Sequence, residues 1–120
     1  MKLVETGHYL GGHPQHPGKT IGVRTLIIDA DHVQVKQFRA IVDIPRSEIR
    51  AVHWDGPDTI ERRVTMTRLL SVGLFAFAAK KKRKQAGYIT VEADSGSFVF
   101  EVESKRPAEL AAKVRLLAAA

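Results

Sequence analysis

The sequence predicts a mainly β domain, a small antiparallel barrel or curled sheet capped by one C-terminal α-helix. Three observations predict it. Short segments of period-2 hydrophobic alternation recur from residue 21 onward, each bounded by Gly, Pro, Asp or Ser. A 3.6-period apolar face, built by Leu110, Val114 and Leu117 with Ala111 and Leu116, stands at the C-terminal end. The chain has 120 residues, 44% of them hydrophobic, which is enough for one core without disulfides or metal.

Each element has a local reason. Residues 1–19 read as a flexible N-terminal arm or edge strand and residues 20–120 as the domain. Gly7, Gly11, Gly12, Pro14, Pro17 and Gly18 exclude a regular helix in the arm, where Tyr9-Leu10 is expected to pair briefly as an edge strand. Residues 21–29 are β-branched and partly alternating, and so read as a strand. Asp29-Ala30-Asp31-His32 then reads as a turn in which Asp bonds its own backbone. Residues 32–44 place Val33, Val35, Phe38, Ala40, Val42 and Ile44 on one alternating series. Its change of phase between Val35 and Phe38 predicts a bulge or turn near Lys36-Gln37. Pro45 ends that ladder. Residues 49–54 form the next strand, and Asp55-Gly56-Pro57-Asp58 is a strong turn signal. Residues 60–67 read as a strand of mixed exposure. Residues 68–79 fit a short amphipathic helix, with a buried strand or hairpin as the alternative, because Gly73 costs about 1 kcal/mol inside a helix. Residues 88–93 and 97–103 alternate cleanly about Asp94-Ser95-Gly96 and make the best hairpin in the chain. Pro107 suits a helix start, with Ser104 as its cap.

This order of elements resembles the pleckstrin-homology-like fold in its bacterial and GRAM-like versions. The residues that carry the likeness are Ile44-Pro45-Arg46-Ser47-Glu48-Ile49-Arg50-Ala51-Val52, similar to the family's turn from one strand to the next. Tyr88-Ile89-Thr90-Val91-Glu92 with Phe98-Val99-Phe100-Glu101-Val102 is similar to its last hairpin, and residues 107–117 to its closing helix. Residues 63–84 also resemble a segment of small actinobacterial and actinophage proteins of this type. The resemblance implies a scaffold for lipid headgroups or protein partners, without catalysis. The family's headgroup loop is a basic loop between the first two strands. Counted from residue 21, that loop is Asp29 to His32, which is acidic and departs from the pattern.

Charge is unevenly placed. The net charge is +6. Arg62, Arg63, Arg68, Lys80, Lys81, Lys82, Arg83 and Lys84 follow one another without an intervening acid, so the rest of the chain is slightly acidic. Five adjacent cations need water, anionic lipid or phosphate beside them. Phe75 and Phe77 lie in the apolar run next to them and suit insertion at an anionic membrane surface. Trp54 at a strand end is a further candidate membrane or partner contact. The bland reading is a solvated turn beside a core segment.

The remaining candidates are weaker. His8, His13 and His16 stand in the arm, but no Cys completes a ligand set, so no metal is expected. Gly18-Lys19-Thr20 lacks the first glycine, the strand and the helix of a phosphate loop. Asp29 with Asp31, and Asp55 with Asp58, sit where turns use Asp. Absence of cysteine excludes disulfides, zinc-thiolate sites and thiol nucleophiles. The polar residues after Val4 leave no apolar stretch for a secretory signal, and the longest apolar run, residues 69–79, is about half of the ~20 residues a span requires. The expected protein is a non-catalytic, cofactor-free, cytoplasmic binding or adaptor domain. It is expected to use the basic surface for peripheral contact with anionic membrane or with a protein partner. Nucleic acid, a phage or host-defence protein contact and homo-oligomerisation are the alternatives.

Overall fold

Seven antiparallel strands form one sheet in the order β4-β3-β2-β1-β7-β6-β5 in the computed structural model, which describes residues 2–18, 20, 22–56, 58–60, 62–63, 86–103 and 107–119. The strands are β1 (Leu3–Gly11), β2 (Arg24–Ile28), β3 (His32–Lys36), β4 (Ala40–Pro45), β5 (Ile49–Asp55), β6 (Ala86–Ala93) and β7 (Gly96–Glu103). A 3-10 turn, Arg46–Glu48, joins β4 to β5, and an α-helix, Pro107–Ala119, closes the chain.

The first segment corrects the expectation. It is neither a flexible arm nor an edge strand but the middle strand of the sheet, paired with β2 from Leu3↔Ile28 to Gly7↔Arg24 and with β7 from Gly7↔Val102 to Gly11↔Val99. Its glycines hide it from propensity rules, yet one of them is a packing requirement. A Cβ on Gly7 would lie 2.0 Å from the Glu101 carbonyl oxygen.

The sheet is strongly curled, and a distance argument shows why. In a flat sheet, six inter-strand spacings would put β4 about 29 Å from β5. The 3-10 turn that joins them can reach about 13 Å. The two outer strands must therefore approach each other at that corner. There the Arg46 amide donates to the Asp31 carbonyl at 2.9 Å and the Asp94 amide to the Glu48 carbonyl at 3.0 Å. No ladder joins β4 to β5 among the described residues, so the sheet is curled and not closed into a barrel.

Leu3, Tyr9, Leu26, Val35, Ile44, Phe98 and Phe100 fill the inside of the curl and are buried. The helix packs against β5 and buries Leu110, Val114 and Leu117 at the spacing the sequence predicts. Arg46 donates its guanidinium to the Leu117 carbonyl, placing a cation at the helix end where unpaired carbonyls accumulate. β6 and β7 are buried on both faces, since Thr90 and Val99, turned away from Val91 and Phe100, are buried as well.

Candidate functional site

The β2–β3 and β6–β7 turns meet at the Arg46–Glu48 corner, and the β1–β2 connection reaches the β6–β7 turn through His13 and Ser95. The basic segment read from the sequence lies in the β5–β6 connection. Of its residues, Arg62 and Arg63 are described; Arg68, Lys80, Lys81, Lys82, Arg83, Lys84, Phe75 and Phe77 lie outside the described residues, as does the helix-or-strand question at 68–79.

Ile60, Arg62 and Arg63 are helical, not the strand expected over residues 60–67. The Asp55–Gly56 turn starts this helical stretch. The Gly56 carbonyl accepts from the Ile60 amide at 3.1 Å, and the Thr59 carbonyl accepts from the Arg63 amide at 3.2 Å. Helical winding returns Arg63 over the strand end, where its Nε meets the buried Asp55 carboxylate at 2.9 Å. Asp55 is thus a structural ion-pair partner. Asp55, Thr59, Arg62 and Arg63 line a cavity of about 170 Å³, with Arg62 exposed at its rim. Trp54 is half-buried, packs against the core, and lies where a side chain on residue 87 would otherwise stand.

The histidines of β1 and the connection after it do not gather. His8 Nδ1 lies 3.3 Å from the Gly22 carbonyl oxygen, whereas His13 is buried with Nε2 2.9 Å from Ser95 Oγ. Asp29 does what a turn aspartate is expected to do: its Oδ1 accepts from the amides of Asp31 and His32 at 2.8 and 2.9 Å, which hold its carboxyl below the usual range.

The β3–β4 hairpin carries a feature the alternation rule misassigned. The alternating series puts Phe38 in phase with Val42 and Ile44, which are buried. Phe38 stands instead at the tip of the β3–β4 hairpin, 97% exposed. The pairing is Val35↔Val42 and Lys36↔Ala40, so residues 37–39 form the bend and Phe38 has no strand neighbour to cover it. Lys36 and Arg39 flank it, Arg39 exposed and Lys36 partly so. Beside it, Val23 is 47% exposed, and Arg24 donates to the Gln37 side-chain oxygen at 2.6 Å, which ties the start of β2 to the tip. Among the described residues no carboxylate pairs with Arg24, Lys36 or Arg39. The result is an aromatic tip with a second apolar side chain and three cations. The signal in the sequence was the phase change itself: an aromatic bracketed by Lys, Gln and Arg at a break in alternation marks a hairpin tip as well as a bulge.

The strand numbering also changes which loop lies between the first two strands. With Leu3–Gly11 as β1, the loop between the first two strands is residues 12–23, and Asp29–His32 joins β2 to β3. Comparison with protein-family models, curated proteins and solved structures finds no match to this chain.

Proposed function

We propose that this protein is a non-catalytic module that makes peripheral contact with an anionic membrane surface through the β3–β4 tip. The observation that carries the reading is the full exposure of Phe38 between Lys36 and Arg39, beside Val23 and Arg24. An isolated exposed leucine or valine needs no explanation; an aromatic at a hairpin apex among cations that no described carboxylate pairs is the composition of an interfacial anchor. No helix among the described residues is long and apolar enough to cross a membrane. The run of seven antiparallel strands followed by one helix supports the pleckstrin-homology-like reading of the scaffold.

Magnitudes set the expected affinity. Three cations at about 1 kcal/mol each, with about 2 kcal/mol for burying one phenylalanine, give about 5 kcal/mol. That corresponds to sub-millimolar, reversible attachment. The basic residues 80–84 add to this where they reach the same surface.

Co-sedimentation with vesicles rich in phosphatidylserine, at low salt, tests the reading. Wild type is expected to sediment with these vesicles and not with neutral phosphatidylcholine vesicles. Phe38→Ser is expected to weaken binding roughly thirtyfold, the equivalent of about 2 kcal/mol. Neutralising Lys80 to Lys84 separates the two basic zones: binding lost there but retained in Phe38→Ser would move the contact to the β5–β6 connection and overturn the tip assignment. No sedimentation at all would overturn the membrane reading.

A further inference from the structure

The connection that follows β1 is stitched between β4 and the β6–β7 turn. Gln15 acts there as a substitute strand residue. Its side-chain Nε2 donates to the Asp43 carbonyl at 3.1 Å, and its Oε1 accepts from the Asp43 amide at 2.8 Å. Those are the outward-facing backbone groups of β4, a terminal strand of the sheet, and unpaired groups on such an edge are a template for another strand. The other end of the stitch is His13, 1% exposed. Its Nε2 lies 2.9 Å from Ser95 Oγ in the β6–β7 turn, and Pro14 beside it fills the space over Gly96, where a Cβ would come within 2.4 Å of its ring.

The state of the His13 ring follows from its partners. Nδ1 receives the backbone amide of Gln15 at 3.1 Å. A backbone amide can only donate, so Nδ1 must carry no proton, and the ring is neutral with its hydrogen on Nε2 toward Ser95. A second proton would land on Nδ1 and face the Gln15 N–H, donor against donor, inside a buried site. The bond that fixes the Gln15 backbone, and with it the amide group on Asp43, would be lost.

We propose that His13 is the proton-sensitive latch of a strap, residues 12–17, that guards the edge of β4 at Asp43. Burial holds the His13 ring below the ordinary imidazole range, outweighing the attraction of Glu48 in the 3-10 turn. The second imidazole of the strap, His16, lies edge-on to the Tyr9 ring at 5.7 Å, and other groups around the strap make bonds of their own. Asp94 in the β6–β7 turn is held by Arg50 at 2.5 and 2.8 Å, the Asp43 carboxylate accepts from Gln34 at 3.1 Å, and the Tyr9 hydroxyl of β1 donates to the His16 carbonyl. Glu48 is therefore the acid that competes, and acidification releases the strap as the neutral ring is lost.

Amide hydrogen exchange on the full chain tests this. Protection of the Asp43 amide, normalised for intrinsic exchange, is expected to fall about tenfold or more from about pH 7.5 to about pH 5, while amides of β6 hold theirs. His13→Asn keeps an acceptor facing Gln15 and does not titrate, so its Asp43 protection is expected to be the same at both pH values. Gln15→Ala, which removes the guard without touching the ring, is expected to expose Asp43 at both. Unchanged protection of Asp43 in wild type, an equal fall in His13→Asn, or retained protection in Gln15→Ala each overturns the proposal. Should His13→Asn not fold, the wild-type profile and Gln15→Ala decide the matter.

Discussion

Gly87 and Trp54 show how a single position is dictated by its neighbour across the ladder. A Cβ on Gly87 would sit 1.9 Å from Cη2 and 2.2 Å from Cζ2 of Trp54, so the indole occupies the volume a side chain needs. Gly87→Ala is expected to displace the indole, shift its fluorescence and cost about 2 kcal/mol in urea denaturation. Gly18→Ala, with open space around it, should stay within about 0.5 kcal/mol. Asp55 makes the same point for charge. Its carboxylate is buried against Arg63, and removing it takes an ion-pair partner from a guanidinium that is itself three-quarters buried. Asp55→Ala is expected to lower the free energy of unfolding by about 3 kcal/mol, read by the same denaturation. A stability unchanged by that substitution would mean the pair contributes nothing.

The closing helix and the β3–β4 hairpin divide their side chains between packing and exposure. Leu116 and Leu117 are adjacent and chemically identical, yet Leu117 faces the core and Leu116 is 59% exposed. Leu117→Ala is expected to cost about 3 kcal/mol and Leu116→Ala less than about 0.5 kcal/mol, a difference readable as a shift in thermal midpoint. In the hairpin, Val35 and Val42 hold the strands while Phe38 contributes nothing to the core. Phe38→Ser should therefore leave the thermal midpoint unchanged while weakening vesicle binding. A large loss of stability would mean that Phe38 packs against something within the protein.

At the scale of the whole molecule, two buried groups at the end of β1 bound the pH range of stability. Burial lowers the His13 pKa from 6.5, so the folded state favours the neutral ring. That contribution is complete above about pH 6.5 and is lost as pH falls from there through the folded value. Burial pushes the Tyr9 phenol from 10.0 up to about 12, so the folded state keeps a proton the unfolded chain releases. Its contribution is complete below about pH 10 and is lost as pH rises toward about 12. Urea midpoints are expected to fall on both sides of a neutral plateau. His13→Asn should flatten the acid side, and comparison with Tyr9→Phe in an ultraviolet titration should place the Tyr9 ionisation near pH 12.

Much of this architecture was legible in the chain, and the exceptions share a cause. The β6–β7 hairpin, the break at Pro45 and the helix face of Leu110, Val114 and Leu117 were readable because period, turn residues and side-chain type agree over a few consecutive positions. β1 was not, because Gly7 and Gly11 weaken its local signal and its two partners are remote: β2 lies beyond the 12-residue connection and β7 near the other end of the chain. The helical winding at Ile60, Arg62 and Arg63 was missed because it is held by an ion pair between residues eight apart, Asp55 and Arg63, which alternation does not register. Of the candidate site, the cations and the flanking aromatic stand in the sequence, but their gathering at one tip depends on β2 and β3 pairing so that Arg24 meets Gln37. The sequence by itself determined the fold class, the strands from β2 to β7 and the closing helix, because those follow from periodicity within each segment. Which strand is central, which aromatic is bare and which histidine is sealed were decided only by the tertiary structure, because burial depends on residues far apart in the chain.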